Sequence, residues 1–200
     1  MQMNDSSAQM NITVVGHVDH GKSSLIGRIL WETGSVPQSR MDYVGNLCRK
    51  SSKPFEYAFL LDALKDERDQ GITIDTARCF FKTEKRRYVL IDAPGHVEFL
   101  KNMITGASRA EAAFLIIDAK EGVRENSKRH GYILSMLGIR QISVVINKMD
   151  LVGYSREVFD PLKDECTSFL SHLNVHPISF IPVSALNGVN ITAKSPETPW

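Results

Sequence analysis

The octapeptide GHVDHGKS, Gly16 to Ser23, constrains this chain more than any other feature of its sequence. It fits the pattern G-x-x-x-x-G-K-[ST]. A β-branched run, Asn11 to Val15, precedes it, and Leu25, Ile26, Ile29 and Leu30 follow at helical spacing, so strand, glycine-rich loop and helix come in that order. Glycines let such a loop wrap tightly enough to aim backbone N–H groups at phosphate oxygens, and the helix N-terminus adds its partial positive charge. The residues so placed are Gly16, His17, Val18, Asp19, His20, Gly21, Lys22, Ser23 and Ser24. In this arrangement Lys22 meets the terminal phosphates and Ser23 can ligate Mg²⁺.

A strand feeding a phosphate loop needs a sheet around it, and the rest of the chain supplies the pattern for one. Residues 33–71 carry Gly34, Pro37, Gly45 and Pro54 among many polar residues, which predicts irregular structure with about two short helices. Thr73 to Phe81 and Tyr88 to Ile91 read as strands joined by the charged turn Glu84 to Arg87, an antiparallel hairpin. Thereafter helices near Val97–Thr105, Ser127–Leu137 and Pro161–Leu173 alternate with strands Ala112–Ile117, Ile142–Ile146 and Ile178–Val183, Pro161 being read as a first-turn residue. The strands after the hairpin are continuously apolar, so the expectation is an α/β fold: an open, mostly parallel sheet with helices on both faces.

Composition removes several alternatives. The 24 Lys and Arg against 23 Asp and Glu leave a net charge of +1, without the basic excess of a DNA-binding protein. Cys48, Cys79 and Cys166 are odd in number and far apart, which argues for a reducing, cytoplasmic setting rather than a disulfide scaffold. No apolar run is long enough to span a bilayer, so no membrane partner is expected.

A second motif, Asn147, Lys148, Met149, Asp150, closes the strand Ile142–Ile146. Strand ends at one edge of such a sheet share a crevice with the phosphate loop. There the Asp150 carboxylate can accept from the two adjacent N–H donors of guanine, a pair that adenine does not offer, while Asn147 and Lys148 brace the loop and pack on the base. Asp150 therefore argues against an ATPase. A third motif is Asp92, Ala93, Pro94, Gly95, His96: Asp92 can hold Mg²⁺ through water, the Gly95 N–H can approach a γ-phosphate, and His96 is the candidate catalytic residue that orients the attacking water. Thr73, in Gly71 to Ile74, offers a hydroxyl suited to a switch loop that orders around the metal. Ser184, Ala185 and Leu186 follow the last strand, where a short loop reaches the base edge.

The other histidines read as structural. His17 and His20 are expected to face solvent or to stand behind the ligand-contacting residues, His130 to lie on a helix surface, and His172 and His176 to bind nothing. Met103, Met136 and Met149 read as core filling.

GHVDHGKS, GITI, DAPGH, NKMD and SAL, in this order and at these strand ends, resemble the translation-factor class of GTPases over about residues 10–190. Within that class LLDALKDERDQGITID and ENSKRHGYILSMLGIRQ look most like the GTPase subunit, subunit 1, of bacterial sulfate adenylyltransferase (ATP sulfurylase). That subunit is itself similar to elongation factor 1-alpha and elongation factor Tu. DAPGH with alanine and FLKNMITGAS lean toward elongation factor 1-alpha. The resemblance implies a Ras-like P-loop NTPase fold with a six-stranded sheet, one strand antiparallel. It implies GTP hydrolysis to GDP with Mg²⁺, Ser23 and Thr73 as metal ligands and Asp92 acting through water. His96 would hold the water, and Val18 with Ile72 would form an apolar gate in front of it. The partner it implies is a catalytic sulfurylase subunit, GTP turnover being coupled to sulfate activation; the alternative is delivery of aminoacyl-tRNA to the ribosome. The expected layout is a disordered N-terminus at 1–9, a GTP-binding domain at 10–187 and a linker at 188–200 leading toward a β-barrel domain that lies outside the chain. No arginine stands out as an internal finger, so slow turnover is expected.

Overall fold

The computed structural model describes residues 9–50, 56–61, 78–92 and 110–200. Its sheet contains β1 (Met10–Gly16), β2 (Arg78–Lys82), β3 (Arg87–Asp92), β4 (Ala112–Asp118), β5 (Gln141–Asn147) and β6 (Ser179–Pro182), in the order β2-β3-β1-β4-β5-β6. Only the β2–β3 pair is antiparallel; β1 pairs in parallel with both β3 and β4, β4 with β5, and β5 with β6. The expected mostly parallel six-stranded sheet with one antiparallel strand is thus present.

Alternation along the strands divides the interior into two cores. Val15, Leu115, Ile117, Val144 and Ile146 face one side, where α3 (Glu125–Met136) and α4 (Arg156–Ser171) contribute Leu134, Phe159 and Leu170. Ile12, Val14, Ile116 and Val145 face the other, where α1 (Lys22–Glu32) and α2 (Gln38–Lys50) contribute Leu25, Ile26, Leu30, Val44 and Cys48. A strand buried on both faces has no polar side to show, which is why these strands read as unbroken apolar runs.

Three details depart from expectation. A 13-residue helix, α2, longer than the short helices expected there, occupies part of the segment read as mostly irregular; its core face is narrow, Val44 and Cys48 being its buried residues, so the polar majority hid the period. Helix α4 begins at Arg156, placing Pro161 inside the helix rather than in its first turn. The ring is exposed and the Glu157 carbonyl it leaves without an i+4 donor belongs to an exposed residue, so water can satisfy it. Met136, read as core, is 69% exposed at the end of α3. Met149 is fully buried as expected, and Met103 lies outside the described residues. The chain beyond 187 forms no helix or strand, yet it is pinned to the domain. Asn190 Nδ2 donates to the Pro182 carbonyl at 2.8 Å, and the Trp200 ring meets that of Phe159 at 5.0 Å. Among the described residues no helix is long and apolar enough to cross a membrane.

The registers bring the C-terminal ends of four strands to one edge. Val14 pairs with Asp92, Gly16 with Ile116, and Asp118 with Asn147. With β3 on one side of β1 and β4 on the other, the order in which strands are added reverses beside β1, and the crevice at such a switch point is where ligands bind in folds of this type.

Candidate functional site

The loop between β1 and α1 turns back over the sheet edge through left-handed backbone at Asp19 (φ 66°) and Gly21 (φ 86°). Gly21 has no substitute, because a Cβ there would run into the Asn147 side-chain amide. The turn brings the Lys22 ammonium inside the loop, where Nζ donates to the Gly16 and His17 carbonyls at 2.8 Å each. Burial lowers the lysine's pKa, while Asp92 and Asp19 oppose that shift and favour its charge. A cation preorganised by its own loop carbonyls and facing a cavity is suited to an anionic ligand.

That cavity, of about 670 Å³, is lined by Val18, Asp19, Gly21, Lys22, Ser23 and Ser24 of the loop and the start of α1, by Asp92 of β3, and by Asn147, Lys148, Asp150, Leu151, Ala185 and Leu186. Glu56, Tyr57 and Ala58 complete its lining. The structure therefore brings the glycine-rich loop, the end of β3, the Asn147–Asp150 motif and the Ser184–Leu186 loop together around one space.

Asn147 is the buried last residue of β5. Its Nδ2 donates to the His20 carbonyl at 3.0 Å and its Oδ1 accepts from the Ala185 amide at 3.1 Å, so one side chain joins the two loops. Lys148 adopts left-handed backbone (φ 60°), and its Nζ pairs with Asp118 Oδ2 at 2.7 Å. Asp118 is buried; burial alone would raise its carboxyl pKa, but hydrogen bonds from Lys148 and the Glu121 and Lys120 amides outweigh that and hold it below the ordinary value. With the Lys148 ammonium tied to Asp118, its apolar stem and the exposed side chains of Leu151 and Leu186 are the apolar groups at this part of the cavity lining. The Ser184 hydroxyl donates to Asp150 Oδ1 at 2.5 Å and in turn accepts from the Asn187 amide at 3.1 Å, which orients the carboxylate. A carboxylate so oriented, in a lining that also has apolar side chains, can read paired donors on the edge of a planar ring.

One histidine expectation is corrected and another is resolved. Of the two positions expected for His20, the structure shows the one behind the ligand-contacting residues: it is fully buried, its Nδ1 lies 3.2 Å from the Ile116 carbonyl and 3.3 Å from the Asp118 amide, and its ring meets that of His17 edge-on at 5.2 Å. Desolvation lowers its pKa, outweighing the opposing effect of the Ile116 carbonyl. His130 is also buried, on the face of α3 that carries Ser127, Gly131 and Leu134, where a helix-surface position was expected. His172 and His176 are exposed and away from the cavity lining. His17 is half-buried and its Nδ1 lies 2.9 Å from Asn126 Nδ2.

Sequence reasoning missed Asp118, Glu56, Tyr57 and Arg28. Asp118 had a signal, since it ends an apolar strand just as Asp92 does. The other three belong to no motif and are placed only by packing. The candidates Thr73, Gly95 and His96, with Ile72 of the gate, lie outside the described residues.

Residues 7–194 match the family model described as the elongation factor Tu GTP binding domain. The chain is 45% identical over 201 residues to elongation factor 1-alpha of Methanosphaerula palustris, a match covering 99% of this chain and 47% of the relative. It is 46% identical over 191 residues to that of Pyrococcus horikoshii, covering 96% and 44%. Among solved structures, Sup35 complexed with GDP superposes with a TM-score of 0.66 at 29% identity, covering 96% of this chain and 41% of that one. The chain spans about half the length of the curated relatives it matches.

Proposed function

Because the chain belongs to the family of the elongation factor Tu GTP-binding domain, a P-loop NTPase fold, we propose that it binds GTP and GDP in this cavity, hydrolyses GTP, and serves as the nucleotide switch of an elongation-factor-type protein. The observation that carries the reading is the Asp150 carboxylate, oriented by Ser184 and lining the same cavity as Lys22. The 45% identity to elongation factor 1-alpha across nearly the whole chain favours delivery of aminoacyl-tRNA over the sulfate-activation role that the sequence segments suggested. No relative named above is a sulfurylase subunit, so the sulfurylase partner has no support beyond that resemblance.

In this reading the loop amides and Lys22 bind the phosphates. Asn147, Lys148, Asp150, Ser184, Ala185 and Leu186 hold the base. Ser23 and Asp92 present a hydroxyl and a carboxylate to the phosphate end, and hard oxygen donors of this kind fit Mg²⁺. When bound, the ion would neutralise phosphate charge; Ser23 and Thr73 would hold it directly and Asp92 through water. His96 would orient the attacking water, with the Gly95 amide at the γ-phosphate. The protein's contribution is positioning and charge stabilisation, without covalent chemistry. Residues 188–200 would lead toward the further domains that relatives of twice this length have room for.

The test is phosphate release from GTP by the wild type and by His96→Ala, with binding followed on the same samples. Retained binding with a loss of release of about a hundredfold supports the assignment; unchanged release removes His96 from it. For the translational role, the measurement is GTP-dependent protection of the aminoacyl ester by the protein that carries this chain. Equal ester decay in the GTP- and GDP-loaded states would contradict that role.

A further inference from the structure

Arg28 lies on α1, six residues beyond Lys22, and belongs to none of the motifs. Its guanidinium Nη1 donates to the Leu186 carbonyl at 3.1 Å and to the Tyr57 hydroxyl at 3.0 Å. The group lies over the Tyr57 ring, 4.7 Å from its centroid. Nε donates to Glu32 Oε1 at 2.5 Å, and Glu32 Oε2 in turn accepts from the Thr192 hydroxyl at 2.6 Å. Both members of the Arg28–Glu32 pair are more than four-fifths covered. Glu32 thus fixes the guanidinium plane, and the plane fixes two pieces of chain far apart in sequence, Tyr57 and Leu186. Both line the nucleotide cavity; Arg28 stands behind them.

We propose that Arg28 is a positioning residue for base selection, holding the Leu186 loop and the Tyr57 ring in place as walls around the base. The inference rests on the guanine reading of the cavity given above. A planar guanidinium is what the task requires, since it stacks with one face while donating along its edge, and a lysine ammonium can do only part of this. The same loop carries Ser184, which orients Asp150, so slack at Leu186 reaches the carboxylate that discriminates between bases. The phosphate end depends on Lys22 and the loop amides, which Arg28 does not contact. Its loss therefore weakens the base-dependent part of binding and spares the phosphate-dependent part.

The experiment is titration of the 200-residue chain with GDP, ADP and pyrophosphate, using wild type, Arg28→Ala, Arg28→Lys and Tyr57→Phe, with GDP dissociation rates and melting temperatures on the same samples. Arg28→Ala should weaken GDP by about tenfold through faster dissociation, shrink the GDP-to-ADP preference, and leave pyrophosphate within about twofold of wild type. Arg28→Lys should recover little of this, and Tyr57→Phe, which keeps the ring and removes the hydroxyl, should lose about threefold. If the alanine variant does not fold, the lysine and phenylalanine variants carry the same comparison. Parallel weakening of GDP and pyrophosphate, full rescue by lysine, or an unchanged GDP-to-ADP ratio would each overturn the positioning role. A wild type that fails to prefer GDP over ADP would overturn the guanine reading itself and this inference with it, whereas a preference that survives in Arg28→Ala overturns the inference alone.

Discussion

The side-chain amide of Asn147 bonds to two loops at once, and a buried amide with both ends satisfied is costly to remove. Asn147→Ala would leave the His20 carbonyl and the Ala185 amide without that partner. It should destabilise the domain by about 3 kcal/mol, read from urea unfolding, and weaken GDP binding at the same time. A variant that lost nucleotide affinity with unchanged stability would show that Asn147 touches the ligand more than it braces the loops. Two neighbours give the domain a pH dependence. The His20 imidazole titrates below its ordinary value of 6.5 because burial disfavours its charge, so the unfolded chain binds the proton more readily. Stability is therefore full above 6.5 and falls as pH drops below it toward the folded value. Asp118, held below its ordinary 3.8 by Lys148 and two amides despite burial, adds a second loss in the same direction at lower pH. His20→Gln should flatten the fall in melting temperature between about pH 7.5 and pH 5.5, while Asp118→Asn should flatten the fall below about pH 4. Slopes identical to wild type would assign the dependence to other groups.

At the scale of elements, α1 does more than follow the phosphate loop. A Cβ at Gly27 would collide with the Tyr57 backbone carbonyl, so the helix and the 57–61 helical segment meet at van der Waals contact. Alanine is the better helix former by about 1 kcal/mol, which would stabilise an isolated α1. Here the collision is with backbone that cannot turn aside, so Gly27→Ala should lower both the melting temperature and GDP affinity; a stabilised variant with normal affinity would show that the contact is slack. Elements differ in how openly the sequence shows them. The parallel strands were plain because burial on both faces leaves only apolar residues, and their ends fell within a residue or two of the predicted bounds. Helix α2 was foreseen only as one of two short, unplaced helices, because two buried residues in thirteen make too weak a period to give its bounds. His130 was misplaced because its burial depends on α3 having a wide inward face, which requires knowing that α4 and the sheet both lie against it. Arg28 and Tyr57 were invisible for a related reason: the 57–61 segment reaches the cavity through tertiary packing, and nothing in its residues announces a ligand.

For the molecule as a whole, the site was legible where chemistry demands fixed residues at fixed spacing. The glycine-rich loop, Asn147–Asp150 and Ser184–Leu186 were assigned to one crevice from order and strand ends, and the registers place them around one cavity. What motif reading did not reach was the second tier: Asp118 holding Lys148, Asn147 joining two loops, Arg28 backing two walls. These side chains act on other protein groups, so no ligand chemistry dictates their type. The biological role was less legible still, because a domain that switches with its nucleotide leaves its partner to other surfaces, and sequence segments alone favoured a sulfurylase subunit where the compared relatives are elongation factors. The central claim is that Asp150 reads a purine carrying paired N–H donors. Titration of wild type and Asp150→Asn with GDP and XDP tests it most directly, since xanthine has a carbonyl where guanine has its amino group and an asparagine amide can donate to it. The wild type should prefer GDP, and the variant should lose GDP by about a hundredfold or more while gaining XDP. GDP binding that survives unchanged in Asp150→Asn would contradict the account.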